Sequence, residues 1–360
     1  MSYTSRLTKA IIDLDALVKN YQYIANLSNN SDTIAVIKAD AYGHNASKVA
    51  LALGSEVNLL AVAFIDEALA LRADGINTKV LVLEGPFKET DIELALENNF
   101  ALMLHSDYQI EWIKSISPEF SGDIWLKVDT GMNRLGFQVE QVDNVMSQLS
   151  AQQISNLVLC SHYATADQID CVRPSKQLDK LKALVAKYGC KFSMANSAGI
   201  LNWPESHGHY NRLGLALYGA SPIGDSPKSR PLIPAMTLQA NIIAIHIVKT
   251  GESVGYGNNW QAQRDTKLAT VAIGYADGYP RNAKSGTPVY INGSLAPLVG
   301  RVSMDMITVD ITDLKHTSIG DTVELWGKNL NIDIVAQNSD TINYELLTRV
   351  SKRVPKTFVS

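Results

Sequence analysis

The sequence predicts an α/β fold: an N-terminal (β/α)8, TIM-like barrel followed by a mostly β C-terminal domain. Three observations predict it. Over the first two thirds of the 360-residue chain, eight short apolar runs alternate with amphipathic stretches. Near Ser221, a cluster of Pro222, Gly224, Ser226, Pro231 and Pro234 interrupts the pattern and reads as a linker. Beyond it, β-rich runs separated by glycine-containing turns replace the alternation. The expected domains are residues 1–235 and 236–360.

Candidate barrel strands lie near 34–37, 59–64, 80–84, 101–104, 124–129, 157–162, 192–196 and 213–218. The first is a β-branched run, Thr33 to Ile37, which delivers Lys38 at its end. Between strands, segments such as Val139–Leu149 and Gln177–Tyr188 repeat apolar residues at three- and four-residue spacing, the period of a helix with one buried face. In the second domain, strands are expected at Leu238–Val248, Leu268–Ile273, Pro288–Ile291, Met306–Ile311 and Thr322–Trp326, with short helices at Ile332–Gln337 and Asn343–Val350.

Composition narrows the function. A hydrophobic fraction of 46% with 19% charged residues is that of an ordinary globular protein. A formal net charge of −4 without a basic block argues against nucleic acid as a partner. Cys160, Cys171 and Cys190 are odd in number and lack metal-ligand spacing, so reduced thiols and no metal are expected. Met1 to Leu7 holds no apolar signal core, and no run is long enough to span a membrane. The expected compartment is the cytoplasm.

Polar residues collect at the C-terminal ends of the barrel strands, where such folds build their chemistry. Lys38 follows strand one. Lys127 and Asp129 end strand five, with Gly131 and Arg134 behind them. His162 ends strand six, Asn196 and Ser197 end strand seven, and Arg212 and Gly214 flank the start of strand eight. A lysine desolvated at a barrel mouth has a lowered pKa and can form a Schiff base or move a proton. Ser197, the Gly199 backbone and the amides of Gly214 and Leu215 would suit a phosphate. Taken singly, each has a plain structural reading: Lys38 or Arg212 as a rim charge, His162 as a satisfied core histidine, Asn196-Ser197 as a helix cap, Lys127 as one half of an ion pair. Together they describe a pyridoxal phosphate site.

At this point the chain resembles the alanine racemase family of fold-type III pyridoxal phosphate enzymes. The likeness is carried, in order, by Ile12-Asp13-Leu14-Asp15-Ala16-Leu17, Val36 to His44 (VIKADAYGH), Lys127 to Gly136 (KVDTGMNRLG), Ser161 to Asp167, Ala195-Asn196-Ser197, Gly255-Tyr256-Gly257, Gly274 to Gly278 and Gly300 to Asp305. It implies pyridoxal 5'-phosphate held covalently by Lys38, with its phosphate on Tyr42, Ser197, Gly214 and Leu215 and its ring nitrogen on Arg212. His162 would lie beside the ring and orient Arg212, with Asn196 nearby. Tyr256 would be a second base, opposite Lys38, entering from the partner subunit of a head-to-tail homodimer. Arg134 would support the cofactor's phenolic oxygen and the substrate carboxylate, positioned in some family members by a carbamate on Lys127. The Met304 amide would also touch that carboxylate, and Tyr275 would line the entrance. The implied substrates are L- and D-alanine.

Two departures stand out. The family's tyrosine before the late Arg-Val-Pro is absent; here Lys352 precedes Arg353-Val354-Pro355, and a solvent-facing Lys352 is expected. Leu213 follows Arg212 where proline or an aromatic is usual. The competing readings are a racemase of broader or serine specificity, a non-catalytic pyridoxal phosphate carrier and a pyridoxal-dependent diamino-acid decarboxylase. The carrier family lacks a second β domain, and the decarboxylases' cysteine-centred C-terminal signature is missing.

Overall fold

The computed structural model describes residues 6–28, 30–116 and 122–360. Most of the Met1–Leu7 segment considered above therefore lies outside the described residues.

Eight parallel strands form the barrel: Asp32–Val36, Leu59–Val62, Lys79–Val82, Phe100–Leu104, Ile124–Asp129, Val158–Cys160, Lys191–Ser193 and Tyr210–Leu213. Their interiors are nearly continuous buried apolar residues, as expected of strands covered on both faces. The last strand pairs with the first, from Tyr210 opposite Asp32 to Leu213 opposite Ala35. Between the seventh and eighth strands closure is thinner, and there Arg212 N–H donates to Ala195 O at 2.9 Å.

The eighth strand differs from the expected 213–218. It ends at Leu213, and Leu215–Tyr218 is a 3-10 turn. Gly214 takes φ −105°, ψ −104°, outside the strand region, and Gly219 closes the turn in the left-handed region. The apolar run Leu215–Tyr218 is buried as a turn, so Gly214 and Leu215 lie beyond the strand end, at the mouth.

The second sheet runs from Ser294–Pro297 through Pro288–Ile291, Thr322–Trp326 and Met236–Val248 to two strands from the chain termini, Lys9–Asp13 and Lys356–Val359. Thr266–Val271 and Ile307–Asp310 extend it from the long strand Met236–Val248. Strand Lys9–Asp13 was not expected: it joins the second sheet ahead of the first barrel strand. Asp13 ends that strand and caps helix Leu14–Asn26, its Oδ1 accepting from Ala16 N at 2.9 Å. The helix buries Ala16, Leu17, Asn20, Tyr21 and Ile24. Buried Asn20 donates to Leu217 O and Ile233 O and accepts from Ile233 N, tying the linker to the barrel.

The linker returns onto the barrel at Gly219. A Cβ there would lie 1.9 Å from Ile233 O, and φ is +78°. Gly224 also has positive φ, +69°, but faces open space. Gly219→Ala should therefore cost more than about 2 kcal/mol and Gly224→Ala about 1 kcal/mol. Urea unfolding of both variants checks this; equal losses would contradict the close approach.

Candidate active site

A cavity of about 810 Å³ opens at the C-terminal ends of the barrel strands. It is lined by Lys38, Tyr42, Lys127, Arg134, His162, Asn196, Ser197, Arg212, Gly214 and Leu215, ten residues singled out from sequence. Tyr256, Tyr275 and Met304 do not line it. They lie in the second domain, where Tyr256 is 70% and Met304 53% exposed.

Lys38 opens a short left-handed turn. Ala39, Asp40, Ala41 and Tyr42 have φ between 51° and 54°. That conformation costs about 1–2 kcal/mol for each non-glycine residue, so it persists only under external restraint. The restraints come from several directions. Ala39 N–H donates to Glu67 Oε1 at 2.6 Å. Asp40 accepts from Ala46 N at 2.9 Å and pairs with Lys356 at 2.8 Å. Fully buried His44 lies with Nδ1 3.0 Å from both Ala41 O and Tyr42 O. Gly43 meets the backbone of helix Asn343–Arg349, where a Cβ would come 2.4 Å from Leu347 O. The turn buries Tyr42 against Tyr218, ring centroids 4.7 Å apart, and Tyr218 Oη donates to Val36 O at 2.8 Å. Burial raises the Tyr42 hydroxyl well above the usual tyrosine pKa, so it remains a neutral donor.

Opposite the turn, Asn196 caps helix Ser197–Asn202, its Oδ1 accepting from Gly199 N at 2.9 Å. The helix-cap reading of Asn196 is therefore realised alongside its place on the cavity wall. Ser197 Oγ accepts from Gly214 N at 2.9 Å and Ala216 N at 3.3 Å, which leaves its own hydroxyl proton to donate. Tyr42 Oη lies 3.1 Å from where a Gly214 Cβ would sit. A side chain at 214 would crowd the space shared by Tyr42 and Ser197.

Arg212 is 5% exposed and is no rim charge. Nη1 donates to Ser193 Oγ at 2.6 Å and Cys160 Sγ at 3.2 Å; Nη2 donates to Ser161 O at 2.7 Å, Met194 O at 3.2 Å and His162 Nδ1 at 3.2 Å. Nε takes no part in these bonds. Because His162 Nδ1 accepts, the ring is the Nε2–H tautomer. The 3.5 Å approach of Asn196 Nδ2 to Nε2 then joins two donors and is a contact only. Burial first, and then the charges of Lys127, Arg212, Arg134 and Lys38, hold His162 well below the usual histidine pKa.

Lys127 stands partly open to the cavity. Burial, with Arg212 and Arg134 nearby, pushes its amine down to about 8, against the opposing influence of Cys160 and Glu84. Arg134 is exposed on the same wall. The lining thus carries Lys38, Lys127, Arg134 and Arg212 against Glu84 and Glu345, and Glu345 already pairs with Arg349 at 2.8 Å. Such a wall selects anions. A phosphate fits Tyr42, Ser197 and the Leu215 amide, an aromatic ring nitrogen fits the Arg212 Nε–H, and a carboxylate fits Arg134.

Tyr344 was missed from sequence. It comes from helix Asn343–Arg349 and lines the cavity with Ile342, Glu345 and Thr348, its ring centroid 6.0 Å from that of Tyr42. Burial raises its hydroxyl to about 12. A tyrosine thus reaches the phosphate end from this helix, eight positions before Lys352, which is exposed away from the cavity. In the second domain, Tyr275 N–H donates to Ser303 O and Ala276 N–H to Met304 O, both at 3.0 Å. Gly274 permits this approach, since a Cβ there would lie 2.3 Å from both carbonyl oxygens. Tyr275 and Met304 are thus fixed side by side.

Known proteins resemble this chain over nearly its whole length. Residues 12–222 match the family model described as Alanine racemase, N-terminal domain, and residues 235–358 that described as Alanine racemase, C-terminal domain. The alanine racemase of Alteromonas mediterranea is 44% identical over 352 residues, spanning 98% of both chains. The crystal structure of biosynthetic alanine racemase from Pseudomonas aeruginosa superposes with a TM-score of 0.94 at 39% identity, covering 99% of this chain and 100% of that one. That of alanine racemase from Bartonella henselae with covalently bound pyridoxal phosphate gives 0.89 at 32% identity, covering 99% and 100%. Among the described residues no helix is long and apolar enough to cross a membrane, and no cluster of three or more metal-ligating side chains occurs.

The buried histidines set an acid limit. Burial pushes His44 down to about 4, and His105 and His162 are lowered in the same direction. His44 is neutral when folded and takes up a proton on unfolding below pH ~6.5, and the lowering of His105 and His162 acts in the same sense. The unfolded state binds more protons there, so stability rises with pH from 5 to 6.5, by up to ~1.4 kcal/mol per pH unit per histidine, and loses this dependence above that window. Urea unfolding across pH 5–8 should show that slope. A flat profile would contradict the neutral buried rings.

Proposed function

The chain belongs to the alanine racemase family and is an amino-acid isomerase, and from that premise we propose that it interconverts L- and D-alanine with pyridoxal 5'-phosphate, using Lys38 and the partner subunit's Tyr256 as its two bases. One observation carries the reading: a lysine, a phosphate cradle and a buried arginine with a spare N–H converge on one cationic cavity. When bound, the cofactor supplies an aldehyde for the substrate amine and an electron sink that acidifies the α-C–H bond.

The side chains do the rest. Tyr42, Ser197 and Tyr344 would bind the phosphate as neutral donors with the Leu215 amide, while the Gly214 amide, which donates to Ser197 Oγ, sets the direction of that hydroxyl. Arg212 keeps its proton, since guanidinium pKa exceeds about 12, so it donates to the ring nitrogen without protonating it. An arginine at that position, unlike a carboxylate, would favour return of a proton to the substrate α-carbon. His162, neutral, keeps Arg212 in place, with Asn196 beside it. Arg134 and the Met304 amide hold the substrate carboxylate, and Tyr275 narrows the entrance against large side chains. Racemisation removes the α-proton from one face and returns one to the other. Two bases on opposite faces avoid moving a single base around the substrate. Lys38 serves the D isomer and Tyr256 the L isomer. Tyr256 is exposed on its own subunit, which suits a residue completing the site of a homodimer partner. We infer cytoplasmic action, consistent with three unpaired cysteines, and a role in supplying D-alanine for peptidoglycan or in alanine catabolism.

Chiral chromatography of the cofactor-loaded protein with L-alanine and with L-serine tests the reading: D-alanine should form much faster than D-serine. Comparable rates would move the assignment to a broad-specificity racemase, and no D isomer from either would sink it. Tyr256→Phe should abolish solvent deuterium incorporation into L-alanine while D-alanine still exchanges, with racemisation lower by roughly a hundredfold or more. Loss of exchange from both isomers alike would remove the two-base assignment.

Lys127 is suited to carry a carbamate that positions Arg134. Carbamylation joins a neutral amine nitrogen to carbon dioxide with loss of a proton. An amine near pKa 8 is neutral at pH 7 on the order of a hundred times more often than an ordinary lysine. In 13C-bicarbonate the protein should show a carbamate carbon resonance by NMR, absent from Lys127→Ala. A resonance that survives that change would rule Lys127 out.

A further inference from the structure

The turn after Lys38 is restrained by a carboxylate from outside it. Glu67 stands in the first turn of helix Ile65–Ala73 and spreads its two oxygens over two backbone segments. Oε2 accepts from Ala63 N at 2.7 Å and Phe64 N at 3.4 Å, which caps its own helix. Oε1 accepts from Ala39 N at 2.6 Å, 28 positions away in sequence. Capping needs only one oxygen; the other serves the residue bonded directly to Lys38.

The remaining restraints act further along. His44 meets the carbonyls of Ala41 and Tyr42, and Asp40 meets Ala46 and Lys356. Ala41 N–H is satisfied by Ile37 O at 2.8 Å. Ala39 N–H opens the turn, where a helical backbone offers no partner of its own, and Glu67 supplies one. A backbone amide held by a carboxylate is a charge-assisted bond, stronger than a neutral one.

We propose that Glu67 is a positioning residue for Lys38: its carboxylate holds the left-handed turn at the lysine end and so aims the amine into the cavity. The inference rests on Lys38 being the lysine that attaches pyridoxal phosphate. Attachment joins Lys38 Nζ to the aldehyde carbon and releases the aldehyde oxygen as water. With Glu67 absent, the turn relaxes towards ordinary right-handed or extended backbone, and the amine spends less time in register with the aldehyde.

The test follows attachment by absorbance after mixing cofactor-free full-length protein with pyridoxal phosphate, for the wild type, Glu67→Gln and Glu67→Ala. Attachment should slow roughly tenfold in Glu67→Ala, the scale of one hydrogen bond to a charged group. It should slow less in Glu67→Gln, whose single carbonyl oxygen can still serve Ala39. Urea unfolding of the same proteins supplies the control: an unchanged attachment rate, or a loss that merely follows lost stability across both variants, overturns the proposal. Hydrogen exchange of wild-type Ala39 does not depend on either variant folding. Protection of that amide supports the clamp, and exchange at the free-peptide rate overturns it. Borohydride reduction and peptide mapping separate the two layers. Cofactor found on another lysine removes the Lys38 assignment and the clamp with it, whereas cofactor on Lys38 with unchanged attachment in Glu67→Ala removes the clamp alone.

Discussion

A buried guanidinium held only by neutral acceptors governs the rest of the site. Arg212 is surrounded by a serine hydroxyl, a thiol, two carbonyls and an imidazole nitrogen. An unpaired buried charge is tolerated only when its donors are satisfied, and four of its five N–H groups sit on the two nitrogens that are. Among the described residues the charge has no carboxylate paired with it. That charge propagates: it adds to burial and to Lys127 in keeping His162 neutral, adds to burial in holding the Lys127 amine near 8, and with Lys38 and Arg134 makes the cavity a trap for anions. The proposed phosphorylated cofactor and carboxylate substrate would together bring the negative charge that this wall lacks.

Geometry divides the labour around that charge. The left-handed turn presents Lys38 and Tyr42 from one side. The seam between the seventh and eighth strands presents Asn196, Ser197 and the 214–215 backbone from the other. The seam is where the barrel ladder is thinnest. The amides there are not consumed by strand pairing: those of Gly214 and Ala216 orient the Ser197 hydroxyl and that of Leu215 is left to donate, which is a physical reason for a phosphate to be received at that point of the barrel.

Much of this was legible in the sequence, for identifiable reasons. Strands covered on both faces read as uninterrupted apolar runs, and the residues that end them, Lys38, Lys127, Asn196 and Ser197, fall where the runs stop. Arg212 was placed before its strand rather than within it, because the run after it, Leu215–Tyr218, is as apolar as a strand yet forms a turn. Strand Lys9–Asp13 carried no local signal. It passes into a helix without an intervening turn, and its partners lie more than 200 residues away. Nor did the left-handed turn announce itself: Ala39 to Tyr42 contain no glycine, and the groups that stabilise it come from residues 67 and 356 and the helix at 343–349. Tyr344 was hidden by the same cause, since local pattern reports a helix but not which cavity its first turn meets.

These omissions share a location. The first and last strands run parallel as neighbours, Ala10 opposite Lys356 and Asp13 opposite Val359, and both belong to the second sheet. From that strand pair Lys356 reaches Asp40, while helix Asn343–Arg349 packs its backbone on Gly43 and sets Tyr344 beside Tyr42. The turn that carries the lysine is therefore built from barrel sequence but held in part by the other domain of the same chain. A barrel cut at residue 235 would keep the strand that ends at Lys38 and lose Lys356, Leu347 and Tyr344. Four left-handed residues would then retain Glu67 and His44 as their principal restraints against a conformation that L-amino acids disfavour. The second domain thus has a task within its own subunit, holding the lysine turn, besides the face that carries Tyr256, Tyr275 and Met304. That double role gives a physical reason for the two domains to share one interlocked sheet through the chain ends.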